Sequence, residues 1–343
     1  MSSLSSQHAH APDPHSQIME LGSGYRVAAC IYVTTKLKIA DLLAGGPRSV
    51  SELAGKAKVN EGALYRVLRA IASIGVFREE SPRTFANTPL SETMRDIPGS
   101  SRDTLLFLAD PLHFRVFAEL LHSVETGGTA FKKTTGMDPF EFFRQDEEEN
   151  RAFNAAMTSI SAQMVPSAIA AYDFGESGTL ADIGGGHGML LAMILQKHRG
   201  LRGIVYDLPH VVEGAKARIE SLGLISRCAI VGGDFFESVP VADSYVMKSI
   251  IHDWDEPHAI AILKNCASAM RGPSGRVILI EMVVAPGNDP NPGKWIDIEM
   301  LAMAGGRERT EAEYEELFAK AGLRLSRVVR APSPFGVIEA VKA

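Results

Sequence analysis

The 343-residue chain has few cysteines (three) and few tryptophans (two), and aromatic residues make up only 7%. Cys30, Cys228 and Cys266 are odd in number and far apart, so they give neither a disulfide framework nor a metal-ligand spacing. A reducing, cytoplasmic setting is expected. No apolar run reaches the ~18 residues that would cross a bilayer. The first residues, Met1-Ser2-Ser3-Leu4-Ser5-Ser6-Gln7-His8, have no basic region and no apolar run, so no secretory leader is expected. Positive charge is not in excess either: 35 Lys plus Arg stand against 41 Asp plus Glu, a net charge of −6. A nucleic-acid binder needs the opposite balance, so neither nucleic acid nor membrane is expected as a partner.

What is present is a globular composition, 45% hydrophobic and 22% charged, at a length suited to about two domains. Residues 1–15 are polar, carry His8, His10 and His15, and read as a disordered tail. Over 16–100 the pattern is first helical, with Ile18, Leu21, Val27, Ile31, Leu37 and Leu42 at three- and four-residue intervals up to Gly45-Gly46-Pro47. Ser51 is placed to cap a short helix through Ala57. Asn60 is placed to cap a second helix, with Leu64, Val67, Leu68, Ile71 and Ile74 on one face and Gly75 as its stop. Two short extended pieces, Val76–Arg78 and Thr84–Asn87, follow, and helix, turn, helix and hairpin make a winged-helix pattern.

Residues 101–172 read as a helical linker, rich in phenylalanine and broken near Gly127 and Gly136. From 173 to 343 the character changes. Apolar runs at Thr179–Ile183, Gly203–Tyr206, Ser244–Met247 and Val277–Ile280 alternate with helical segments at 189–198, 210–222, 257–271 and 311–321. That alternation predicts an α/β domain built on a doubly wound parallel sheet. Two late extended runs, 323–330 and 335–341, are placed to close it as an antiparallel hairpin.

The strongest local signal is Leu180-Ala181-Asp182-Ile183-Gly184-Gly185-Gly186-His187-Gly188, a strand running into a glycine turn and then a helix. Gly184 and Gly186 let a ligand approach the backbone, and the helix start offers free N–H groups. Asp182 beside that turn suits an ammonium and repels a pyrophosphate, which favours S-adenosylmethionine over a dinucleotide. Asp207, 23 residues after Gly184, is placed for a ribose diol. Asp234-Phe235, after another apolar strand, is placed for adenine. Tyr245-Val246-Met247-Lys248-Ser249-Ile250-Ile251-His252-Asp253-Trp254 then brings Lys248 and His252 to the C-terminal edge of a strand, where open α/β sheets bind ligands.

These pieces, with Tyr206-Asp207-Leu208-Pro209-His210-Val211 and Gly305-Gly306-Arg307-Glu308-Arg309-Thr310, occur in one order over nearly the whole chain from about residue 16. In them the chain resembles the S-adenosylmethionine-dependent, metal-independent small-molecule O-methyltransferases, such as plant caffeate and flavonoid enzymes and bacterial antibiotic and phenazine enzymes. The resemblance implies a Rossmann-like methyltransferase sheet preceded by a winged-helix dimerisation domain, a homodimer formed through that domain, and S-adenosylhomocysteine as product. It implies His252 as general base, Glu281 and Glu308 as the carboxylates that hold it, and Asp253 as a substrate-side neighbour. It implies Gly184, Asp207, Asp234, Phe235 and Lys248 as cofactor contacts, and Phe153, Met157 and Ser161 as residues near the methyl group and acceptor. Phe107, Phe153, Met157, Met300 and Met303 are candidates for a flat apolar pocket taking an aromatic substrate. Two stretches depart from the family, Thr158-Ser159-Ile160 and the wholly apolar Met300–Ala304, and both bear on the acceptor and not on the base.

Elementary acid–base chemistry narrows the acceptor. A phenol near pKa 10 and an ordinary imidazole near 6.5 leave full proton transfer uphill by roughly 5 kcal/mol, whereas an aliphatic alcohol near ~16 would be uphill by roughly 13. A phenolic or enolic hydroxyl is therefore expected. Two other readings stay open at this level. The same fold and cofactor can serve N- or C-methylation or a reaction without methyl transfer. The winged-helix pattern, with Lys56, Lys58, Arg66 and Arg69 nearby, can also belong to a DNA-binding regulator.

Overall fold

The computed structural model describes residues 13–343, which form two compact units. His8 and His10 lie outside the described residues. His15, read above as tail, is instead in the first turn of the helix Pro14–Gly22. Asp13 caps that helix by accepting the Ser16 N–H at 3.1 Å, and Pro14 tolerates the first turn because no donor is needed there.

The first unit runs to Phe114 and takes in Arg151–Ser159. Its early helical stretch divides into Pro14–Gly22, Tyr25–Lys36 and Ile39–Leu42, the last break marked by Lys38 at φ +53°. The next helix, Val50–Ala57, is capped by Ser49 and not Ser51. Only Ser49 has Glu52 three residues on, and the two side chains form a reciprocal capping box. Asn60 caps Glu61–Ala72 by accepting the Ala63 N–H at 2.9 Å. Leu64, Leu68 and Ile71 are buried against Leu53, Phe77 and Phe85. Ile74 is exposed, contrary to its place in the apolar pattern, because the helix has ended and Gly75, at φ +83°, turns the chain. Strands β1 (Arg48–Ser49), β2 (Phe77–Ser81) and β3 (Thr84–Asn87) form a small antiparallel sheet in the order β1-β3-β2.

The second unit comprises 115–150 and 160–343. The segment 101–172 is thus not one linker: the helix Glu147–Ala171 gives its residues 151–159 to the first unit and its end to the second. Apolar spacing marks a helix but not which core its faces meet, so this division was not readable from the sequence. The sheet has seven strands: β4 (Gly178–Ile183), β5 (Leu201–Asp207), β6 (Cys228–Gly232), β7 (Ser244–Lys248), β8 (Arg276–Met282), β9 (Leu323–Arg330) and β10 (Phe335–Lys342). Their order is β6-β5-β4-β7-β8-β10-β9; the β4–β8 pairs are parallel, and β10 is antiparallel to both its neighbours.

Alternate residues of each strand serve opposite faces. Ile278 and Ile280 join one core with Leu191, Leu195 and Ile219, while Val277 and Leu279 join the other with Leu263, Leu317 and Phe318. Burial on both faces explains the near-continuous apolar runs. The chain winds from β4 outward to β6, then returns to β7 on the other side of β4. That reversal opens a crevice at the C-terminal ends of β4 and β7. Among the described residues no helix is long and apolar enough to cross a membrane.

Candidate active site

The crevice is lined first by the turn after β4. Gly184 and Gly186 have φ of +68° and +53°, a region only glycine enters freely. The N–H groups of Gly184 and Gly185 both donate to the Tyr206 carbonyl, at 2.9 and 3.1 Å, which pins the turn to the neighbouring strand. Asp207, the last residue of β5, accepts the Gly186 N–H at 2.8 Å through Oδ2 and the Leu208 N–H at 2.7 Å through Oδ1. Asp182 is almost wholly buried, and its Oδ2 has no hydrogen-bond partner among the described residues. Burial first, and the Asp207 charge second, lift its pKa to about 7. Burial also raises Asp207, against the two N–H groups that favour its carboxylate. On the next loop Asp234 Oδ1 accepts the Phe236 N–H at 2.8 Å, and the Phe235 ring meets Phe236 edge-on.

The turn after β7 carries the second half. Lys248 ends the strand, 3.5 Å from the Ser249 hydroxyl, and burial holds its pKa below the usual lysine range, opposed by Glu281, Asp253 and Asp182. Ser249 sits at φ +53°, a costly conformation for a side chain with a Cβ. It throws the chain sideways so that Ile250 folds over Gly184: a Cβ on Gly184 would lie 2.4 Å from Ile250 Cδ1. A single 3₁₀ turn, Ile251–Asp253, then presents His252.

His252 is buried among three carboxylates. Its Nδ1 lies 2.6 Å from Glu308 Oε1 and 3.8 Å from Glu281 Oε2, and its Nε2 lies 3.4 Å from Asp253 Oδ1. Glu308 is thus the direct partner of the ring. Glu281, in β8, works differently: its Oε1 accepts the N–H groups of Ile250 and Ile251, both at 3.0 Å, and so fixes the turn that carries the base. Burial opposes the imidazolium, but Glu281, Asp253 and Glu308 together outweigh it and lift His252 to about 10. Burial lifts Asp253 to about 6 and raises Glu281 as well, while the imidazolium pulls both down.

His252, Glu281 and Glu308 are three metal-ligating groups with ligand atoms within 4.8 Å of one another. Two nitrogen or oxygen ligands on one tetrahedral metal, each at about 2.0–2.1 Å, stand about 3.3 Å apart. The 2.6 Å between Nδ1 and Oε1 is instead the length of a charge-assisted hydrogen bond, so the group is arranged around a shared proton.

Three residues not singled out from the sequence complete this turn. Arg309, buried, donates to the carbonyls of Ile251 and Trp254 on either side of the base, and to Arg307. Arg307 N–H donates to the His252 carbonyl at 2.8 Å, and Asp297 Oδ1 accepts the Glu308 N–H at 2.8 Å. Of the candidates for the acceptor, Phe107 and Phe153 meet edge-on in the first unit, with ring centres 5.7 Å apart, and Met157 belongs to the same unit. Met300, Met303 and Ser161 belong to the second, with Met300 on the helix Pro292–Ala302 and Ser161 on Glu147–Ala171.

A sheet of this order, with a glycine turn at the switch point and a buried His–carboxylate cluster opposite it, defines a class: the methyltransferases that draw on S-adenosylmethionine. Comparison with known proteins specifies the family. The model of the O-methyltransferase domain matches residues 117–324, and that of the O-methyltransferase dimerisation domain matches 19–95. The chain is 40% identical to the phenazine O-methyltransferase PhzM of Lysobacter antibioticus, over 95% of either chain. It is 32% identical to the 8-amino-8-demethylriboflavin N,N-dimethyltransferase of Streptomyces davaonensis, over 92% of this chain and 91% of that one. Among solved structures it is similar to CalO1, a methyltransferase in calicheamicin biosynthesis in its S-adenosylhomocysteine-bound form, with a TM-score of 0.86 and 35% identity over 97% of this chain and all of that one. The chain belongs to the O-methyltransferase family.

Proposed function

We propose that the enzyme transfers the methyl group of S-adenosylmethionine to a phenolic hydroxyl of an aromatic small molecule, with His252 as the base. The observation that carries this reading is the 2.6 Å contact of His252 Nδ1 with Glu308 at the crevice edge. The site fits the cofactor. The buried, unpartnered Oδ2 of Asp182 is an acceptor for its ammonium, and a Cβ at Gly186 would meet nothing within 4 Å, which leaves room beside the turn. Asp207 is assigned to the ribose, Asp234 and Phe235 to the adenine, and Lys248 and Ser161 to the remaining contacts. When bound, S-adenosylmethionine supplies an electrophilic methyl on a sulfonium.

The chain's own part is proton transfer and placement. Glu308 accepts from Nδ1–H, which fixes the tautomer and leaves Nε2 to take the hydroxyl proton. With His252 at about 10, the proton moves almost level from a phenol near pKa 10, where an ordinary imidazole would work about 5 kcal/mol uphill. An aliphatic alcohol near ~16 remains about 8 kcal/mol out of reach. Asp253, beside Nε2, steadies the imidazolium that results. Met300 and Met303, in the same unit as His252, are assigned to the aromatic acceptor, and the relatives point to a fused ring such as a hydroxyphenazine. A likeness to an N,N-dimethyltransferase keeps an aromatic amine as a second acceptor class.

The first unit is assigned to homodimerisation, supported by the dimerisation-domain match and by Ile18, Met19 and Leu21, which are exposed on one short helix. Its winged-helix pattern then serves a partner subunit rather than DNA. Cytoplasmic placement accords with three cysteines that are free thiols. The reaction is tested by incubating the enzyme with methyl-labelled S-adenosylmethionine and a panel of hydroxyphenazines, naphthols, catechols and aromatic amines. The reading expects the label as an O-methyl ether by NMR. Labelled N-methyl product alone would make the amine class the correct one, and no labelled product from any aromatic would reject the proposal.

A further inference from the structure

We propose that Asn265 is a positioning residue for the adenine subsite: its side-chain amide sets the loop that presents Asp234 and Phe235. The inference rests on the assignment of that pair to adenine. Asn265 lies on the helix Glu256–Ala269, outside the crevice turns, and has no role in proton transfer. Its Nδ2 donates to two consecutive carbonyls, Phe235 at 2.8 Å and Phe236 at 3.1 Å. The loop is held at one end by a backbone bond and at the other by a tyrosine hydroxyl. Gly233 N–H donates to the Asp207 carbonyl at 2.9 Å, and the Tyr206 hydroxyl donates to the Ser238 carbonyl at 2.6 Å. Between those anchors the loop folds on itself through Asp234, whose carbonyl accepts from Glu237 and Ser238 and whose Oδ1 accepts from Phe236.

The Asn265 amide is the side-chain donor that ties the middle of this fold to the helix. Two adjacent carbonyls facing one NH₂ group fix the peptide between Phe235 and Phe236, and with it the direction of the Phe235 ring and the Asp234 carboxylate. An aspartate there would keep the shape but set a carboxylate against two carbonyls. Asn265→Asp is therefore the severe variant and Asn265→Ala the mild one.

The test is equilibrium binding of S-adenosylhomocysteine and of S-inosylhomocysteine, in which the exocyclic amine of adenine is replaced by oxygen. The wild-type enzyme is expected to prefer the adenine form. Asn265→Asp should weaken S-adenosylhomocysteine tenfold or more and bring the two ligands to within about twofold of each other, with Asn265→Ala between. The ratio of the two dissociation constants does not depend on how much of a variant is folded, so a merely destabilised protein would keep the wild-type ratio and overturn the proposal. Asp234→Ala separates the two levels. If it abolishes the preference while both Asn265 variants retain it, the Asn265 proposal fails alone. If it leaves the preference intact, the adenine assignment fails and the Asn265 proposal with it.

Discussion

At the scale of single residues, the chemistry turns on a histidine made strongly basic by its neighbours. Because His252 is lifted to about 10, its imidazole is mostly protonated at neutral pH, and kcat/KM is expected to rise with pH toward that value. Replacing a carboxylate removes support for the cation, so the pKa must fall. Glu308→Gln should shift the rising limb of the pH–rate profile to lower pH by at least one unit and reduce the plateau; an unshifted limb would count against the Nδ1 contact. Asp182, lifted to about 7, becomes neutral below that pH and loses its attraction for an ammonium. S-adenosylhomocysteine affinity should accordingly drop as pH falls from 8 to 6, and Asp182→Asn should flatten that dependence in a calorimetric titration. The family resemblance pointed to His252, Glu281 and Glu308, and the structure brings the three side chains together. Their division of labour was not legible in the sequence: that Glu281 binds the Ile250 and Ile251 amides, and Glu308 the ring, depends on contacts across 31, 30 and 56 residues. Arg309 and Asp297 escaped for the same reason: Arg309 reaches the Ile251 and Trp254 carbonyls across 58 and 55 residues, and such contacts leave no local spacing.

At the scale of elements, two turns are locked together by absent side chains and backbone bonds. A Cβ at Gly306 would lie 1.9 Å from the His252 carbonyl oxygen, a backbone atom that cannot swing away. Gly306→Ala should therefore displace the base turn, lowering Tm by several degrees and activity by more than tenfold. Wild-type Tm and activity would show the two segments to be independent. The central strands β4, β7 and β8 were legible because burial on both faces writes them as short apolar runs, and Gly75, Gly127 and Gly136 marked stops with φ of +83°, +75° and +80°. The helix Pro292–Ala302 was not read. Its start signal, Asn291 capping ahead of Pro292, is present, but the sequence that follows, Gly-Lys-Trp-Ile-Asp-Ile-Glu-Met-Leu-Ala, shows no clean apolar stripe. Ser49 was passed over for Ser51 because the capping box, not the serine, carries the signal.

At the scale of the whole molecule, the proposed homodimer rests on the exposed apolar residues of the first helix and on the dimerisation-domain match. Sedimentation equilibrium should return twice the 37.0 kDa chain mass, and Leu21→Glu with Ile18→Glu should shift it toward one. Composition and element order were enough to give two domains and a doubly wound sheet. The way the long helix Glu147–Ala171 divides between units was not, because a helix can change the core it packs on without changing its period.

The central claim is that an imidazole held by Glu308 removes the acceptor's proton as the methyl moves. Its most direct test is the single-turnover rate of methyl transfer to a hydroxyphenazine by His252→Gln, at saturating S-adenosylmethionine, with S-adenosylhomocysteine affinity measured alongside. A loss of roughly 10²–10⁴-fold with affinity within twofold of wild type is predicted. A rate within a few-fold of wild type, at unchanged affinity, would contradict it.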